Sequence, residues 1–158
     1  VMQEKEISAA VARVLQSLSD MKMTLSLAQK ITKAVLDEAE RKGVNAVVAV
    51  SNEGARPVSV QAMDGSFIAS YDIALNKAYT SAALKMSTKE LKTLSAPGGP
   101  LYGVQNTNGG QIVIFGGGEP LFCNGKVIGA LGVSGGTEEQ DTALAAFGKD
   151  FFIKELSK

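Results

Sequence analysis

FGGGEPLFCNGKVIGALGVSGGTEEQD, residues 115–141, packs two glycine clusters, a tight turn and a helix start into one run. Asn124-Gly125 stands between apolar stretches, and a two-residue type I′ turn needs positive φ at both central positions. The pair therefore predicts a hairpin with a strand on either side. Gly116-Gly117-Gly118 and Ser134-Gly135-Gly136 let the backbone reverse, or approach a ligand, where a Cβ would clash. Thr137, with Gln140 three residues on, fits a capping box and predicts a helix from that point.

Around this core, residues 111–115, 120–123 and 126–133 read as a three-stranded meander, followed by a helix from 137 to about 156. Upstream, residues 95–108 hold Pro97, Gly98, Gly99, Pro100 and Gly103 and read as a surface loop, a kind of segment that often carries function. Further back, 44–51 reads as a mostly buried strand and 56–63 as a second, with Asn52-Glu53-Gly54 supplying the turn. Asp64-Gly65-Ser66 ends that strand and introduces a helix through Ile68, Ala74, Leu75, Ala78, Tyr79 and Ala82. Ser87 and Glu90 fit a capping box for a short helix ending near Leu94. A helix from Thr24 through Ile31, Ala34, Val35 and Ala39 stops at Lys42-Gly43. Before it, Ile7, Ala10, Val11, Val14, Leu15 and Leu18 recur at helical spacing opposite Glu4, Glu6, Arg13, Gln16 and Ser17, which predicts an amphipathic N-terminal helix.

Hairpin-connected strands run antiparallel, and strands here do not alternate regularly with helices. The expectation is an α+β fold with an antiparallel sheet of about five strands flanked by helices. Residues 1–22 form the N-terminal helix and a short linker, and 23–158 form the domain. Met2 is read as the natural start.

With 158 residues the chain supports one domain with a proper core. Sixteen basic and sixteen acidic residues cancel, which removes the electrostatic footprint of nucleic-acid or anionic-membrane binding, so neither is an expected partner. Lys77, Lys85, Lys89 and Lys92 read as a solvated helix face, with phosphate binding as the alternative. There is no run of ~20 apolar residues and no basic-then-apolar leader, so a cytoplasmic location is expected. The single cysteine, Cys123, excludes an intrachain disulfide and reads as strand packing. The absence of histidine excludes Ser-His-Asp and Cys-His nucleophiles, histidine-based zinc sites and the two-histidine iron triad, and no metal site is expected.

Glycine clusters invite a phosphate-loop reading. However, Val127 follows Gly125-Lys126, and Pro120 stands where the first glycine of a Walker A motif belongs. Gly129, Gly132 and Gly135 miss the dinucleotide-fold spacing and accompany a hairpin instead of a βαβ unit. They read as structural, with the amides of Gly116 to Gly118 open as lining for an anionic group.

Met63-Asp64-Gly65, Asn76-Lys77-Ala78-Tyr79, FGGGEPL at 115–121 and GALGVSGG at 129–136 together resemble the GlcG/HbpS-like heme-degrading domain family, which includes the C-terminal domain of PduO-type cobalamin adenosyltransferases. The resemblance spans roughly residues 24–152. It implies a profilin-like fold, homo-oligomers and, in some members, binding of heme or a related tetrapyrrole or corrinoid. It does not imply adenosyltransferase activity, which belongs to a separate domain. By position, Met63, Asp64, Ser66, Lys77, Tyr102 and the turn Gly116, Gly117, Gly118 and Glu119 are the candidate ligand-binding residues. Capping and turn roles remain open for Asp64 and Ser66. Without histidine, an iron would need a substitute ligand among Tyr71, Tyr79, Tyr102, Met63, Met21, Met23 and Cys123, each of which also has a packing explanation.

Residues 2–18 resemble the encapsulation peptides of bacterial microcompartment cargo, amphipathic helices beside a linker. A lone helix of this length is marginal in water, so its stripe needs a partner surface: a shell or cargo protein, its own domain, or its own oligomer. The leading expectation is an oligomeric domain binding heme or a related tetrapyrrole or corrinoid, associated with diol or ethanolamine microcompartments. The alternatives are a small enzyme acting on a hydroxyacid or aldehyde, with Lys77 and Asp64 as acid and base, and a scaffold without a small ligand.

Overall fold

The computed structural model describes residues 2–158. Val1 lies outside the described residues, as does the side chain of Leu18 expected on the apolar stripe. In chain order the elements are α1 (Met2–Ser19), α2 (Leu25–Arg41), β1 (Val47–Asn52), β2 (Pro57–Ala62), α3 (Ile68–Leu84), α4 (Thr88–Leu94), β3 (Gly118–Cys123), β4 (Lys126–Ser134) and α5 (Glu138–Leu156). Two short 3₁₀ turns, Val104–Asn106 and Asn108–Gly110, sit in the loop between α4 and β3.

The sheet has the order β2-β1-β4-β3, with every neighbouring pair antiparallel. Asn124 and Gly125 carry φ of 49° and 75° and turn β3 into β4, as the left-handed type I′ geometry demands. Period-2 alternation then divides the core. From β1, Val48 and Val50 join Leu131 and Val133 of β4 against Ile31 and Val35 of α2 and Leu144 and Phe152 of α5. Val47 and Ala49 face the other way, against Ala74 and Ala78 of α3. The sheet is thus covered on both faces, by α2 and α5 on one and α3 on the other. The α3 side is thin: a Cβ on Gly132 would fall 2.0 Å from the Ala74 carbonyl oxygen, so this helix lies directly on the β4 backbone.

The architecture is the expected α+β antiparallel sheet flanked by helices, with four strands instead of about five. Residues 111–115 form no strand. Ile112 and Val113 are buried there, but the Val113 N–H donates to Thr80 Oγ1 (3.0 Å), whose hydroxyl lies 3.3 Å from the Gln111 carbonyl oxygen. A threonine of α3 meets backbone groups that a neighbouring strand would otherwise pair. Ser87 caps α4 as its spacing indicated, Thr24, where a helix was expected to begin, caps α2 through the Leu27 N–H, and Thr137 and Gln140 form a reciprocal capping box on α5. Helix α1 is exposed from residue 3 through residue 17, including Ile7, Val11, Val14 and Leu15, each at least half exposed.

Candidate functional site

Lys77 marks the site. Read from sequence as part of a solvated basic face with Lys85, Lys89 and Lys92, it instead has 0% exposure, whereas the other three lysines are exposed. Helical spacing places it on the face of α3 that also carries Ala74, Ala78 and Ser81, and that face rests on the sheet. Lys77 Nζ donates to the Val133 carbonyl at the end of β4 (2.7 Å) and to Asp141 Oδ2 in the first turn of α5 (3.1 Å). It also lies 5.1 Å from the centre of the Phe115 ring, within cation–π range. Burial pushes the Lys77 pKa down, and the neighbouring Asp141 carboxylate opposes that shift.

The turn at 116–118 wraps this ammonium. Gly117 has φ of +121°, and a Cβ there would stand 2.6 Å from both Lys77 Nζ and the Val133 carbonyl oxygen, so a side chain is excluded twice over. The Gly116 N–H donates to Glu138 Oε1 (3.0 Å) and the Gly118 N–H to Thr88 Oγ1 (2.9 Å). Lys92 of α4 reaches Glu138 Oε2 at 2.5 Å. The Lys92 contact, followed by the Gly116 N–H, holds the Glu138 carboxyl below the usual range, with burial acting against both. On the other side, Asp141 Oδ1 accepts from the Gly136 N–H (2.8 Å), fixing the glycine turn ahead of α5.

Beside this network lies a cavity of about 260 Å³, lined by Phe67, Ala69, Ser70, Ile73, Phe115, Ser134, Gly135, Gly136, Glu138 and Asp141. Ser134 Oγ donates to Ser70 Oγ (3.1 Å) within the buried part of its wall. A smaller pocket of about 200 Å³ shares Phe67, Gly135 and Gly136 and extends to Gly65 and Asn45. Both carboxylates of the cavity are already paired with lysines. The space therefore suits a ligand with a polar edge and an apolar body better than a free ion.

Of the residues singled out in the sequence, Lys77, Gly116, Gly117 and Gly118 come together here. Met63 and Asp64 line a different groove, with Leu36, Asp37, Glu40 and Gln61, so the structure does not bring Asp64 to Lys77 as an acid–base partner. Met63 packs against the core, and its Sδ accepts from the Ala46 N–H (3.3 Å). Ser66 is half-buried in the turn before α3, its N–H donating to the Met63 carbonyl (3.1 Å). Glu119 pairs with Lys149 of α5 (3.1 Å), and Tyr102 is exposed on the loop after α4. Asp141, Glu138, Ser70 and Ser134 were not among the candidate site residues read from the sequence, although Ser134 was noted as part of a glycine turn. Among the described residues, no cluster of His, Cys, Asp and Glu could hold a metal ion, and no helix is long and apolar enough to cross a membrane.

The family model described as "Haem degrading protein HbpS-like" matches residues 23–149. An uncharacterized 15.0 kDa protein from the dhaT-dhaS intergenic region of Citrobacter freundii is 48% identical over 130 residues, covering 82% of this chain and 92% of that protein. The corrinoid adenosyltransferase PduO of Salmonella typhimurium is 35% identical over 116 residues, covering 73% of this chain but 34% of the longer protein. A crystal structure of a PduOC:heme complex superposes with a TM-score of 0.79 at 32% identity, covering 82% of this chain and 94% of the other.

Proposed function

The chain belongs to the HbpS-like family of heme-degrading proteins, and from that premise we propose that it is an oligomeric domain that binds heme or a related tetrapyrrole. The observation that carries this reading is the likeness, in fold and sequence, to a domain crystallised with heme. The matched part of PduO is about a third of that protein, so its adenosyltransferase activity is not carried over.

The residues present decide how such a group would sit. Sites that enclose a drug-sized ligand run to roughly 300–1,000 Å³, and the cavity beside Lys77 is smaller. A macrocycle would therefore lie against its mouth, where Phe67 of the cavity wall is 71% exposed and offers apolar surface. With no histidine in the chain, no imidazole of its own can meet an iron. When bound, the group would supply a Lewis-acidic metal and an extended chromophore.

Gel filtration of the chain after incubation with hemin, and separately with cobalamin, tests the reading. A chromophore co-eluting with the protein supports it, and elution of both ligands free of protein contradicts it. The enzyme alternative has less support, because the Lys77 ammonium is enclosed and already donates to two acceptors.

We further propose that α1 stands apart from the 23–158 domain and docks on a microcompartment shell or cargo protein. Its exposed apolar stripe supports this, since such a surface needs a partner. Deleting residues 1–19 is expected to abolish co-purification with compartments. Unchanged co-purification would reject it.

A further inference from the structure

Ser70 of α3 and Ser134 at the end of β4 are 3% and 5% exposed, and both line the cavity beside Lys77. Their hydroxyls meet at 3.1 Å. Two hydroxyls bring two protons and this contact uses one, so one is left over whichever way the bond runs. Among the described residues neither hydroxyl has a second acceptor. A donor buried this deeply is costly to leave unmet, and the space in front of it is the cavity.

The rest of the polar wall is of the opposite kind. Glu138 and Asp141 present only acceptors: the Glu138 oxygens take the Gly116 N–H and Lys92, and those of Asp141 take the Gly136 N–H and Lys77. Each carboxylate oxygen has room for a second donor. Charge is already balanced, because Lys77 pairs with Asp141 (3.1 Å) and Lys92 with Glu138 (2.5 Å), and neither lysine is in the lining. A charged ligand would enter without a counter-charge, which a partly enclosed site penalises. Phe67, Ile73 and Phe115 make the remaining wall apolar. At ~30 Å³ for each water-sized group, about 260 Å³ accommodates about four to eight non-hydrogen atoms.

We infer that this cavity binds a small uncharged alcohol, whose hydroxyl accepts the spare serine proton and donates to a carboxylate while its alkyl part packs on the aromatic side. A hydroxyl both donates and accepts without carrying charge, whereas a ketone or an ether only accepts. The ligand fills the cavity itself, so the inference does not rest on the heme reading, and its test contains no hemin.

The test is the amide nitrogen–proton correlation spectrum of the full chain, titrated with butan-1-ol, butyrate and butylammonium at equal ionic strength. These probes differ only at the head group. Butan-1-ol is expected to shift the Ser70, Gly135 and Gly136 amides along a saturating curve, and both charged probes should bind at least about fivefold more weakly. A charged probe that binds as tightly, or butan-1-ol shifts that fail to saturate or fall elsewhere, overturns the inference. The double variant Ser70→Ala, Ser134→Ala, with a parent-like spectrum as proof of fold, should lose about fivefold in affinity for butan-1-ol, equivalent to one neutral hydrogen bond. Affinity equal to the parent's overturns the serine assignment. Should that variant not fold, the parent chain supplies a second measurement: butan-2-one, which cannot donate, should bind more weakly than butan-2-ol, and equal binding overturns the carboxylate contact.

Discussion

Lys77 and Asp141 illustrate what a buried ion pair does and does not supply. Removing two charges from water offsets most of their attraction, so the pair is a weak source of net stability, yet breaking it strands a charge. Asp141→Asn keeps an acceptor for the Gly136 N–H but leaves the ammonium facing a neutral amide. The expected loss is about 3 kcal/mol, read as a lower urea midpoint at unchanged m-value. A variant within experimental error of the parent would show that the pair is dispensable. Glu138 makes a pH-dependent contribution of definite sign. Its carboxyl is held below its ordinary value in the fold, so its stabilisation is present above the unfolded pKa and disappears as pH falls through the lower folded value. The stability difference between parent and Glu138→Gln should therefore be largest near neutrality and shrink in acid. A difference that is flat with pH would contradict the Lys92–Glu138–Gly116 network.

At the level of elements, local chemistry decided most outcomes. Thr137 and Gln140 satisfy each other's backbone donors at the start of α5, and the same turn aims Asp141 at Lys77. Thr137→Ala is expected to cost about 1 kcal/mol in chemical denaturation; no change would mean that packing alone sets this terminus. The hairpin at Asn124-Gly125 and the cap at Ser87 were legible because each is a contact within four residues. Residues 111–115 were not, since a short apolar run reads the same whether its backbone pairs with a strand or with a side chain such as Thr80. The amphipathic pattern of α1 was legible as a helix, but the pattern says nothing about what covers it.

For the whole molecule, the three-layer arrangement turns separated motifs into one site. Lys77 sits in the middle of α3, the glycine turn precedes β3, and Asp141 opens α5, and these meet because α3 and α5 lie on opposite faces of a sheet whose β4 end separates them. Lys77 and the Gly116 to Gly118 turn could be singled out from sequence because they lie in recognisable motifs. Asp141 could not: 64 residues from Lys77, it looks like any acidic residue in a first helical turn. The same topology sends Met63 and Asp64, at the end of edge strand β2, into a separate groove. A tetrapyrrole, the ligand proposed above, is larger than the cavity beside Lys77 can enclose, so on that proposal the exposed Phe67 in the cavity wall is part of the surface it would cover. The most direct measurement is an equilibrium titration of the full chain with hemin, followed at the Soret band. A shift that saturates at a fixed heme-to-chain ratio is expected; absorbance that grows without saturation, matching hemin in buffer, would contradict the account.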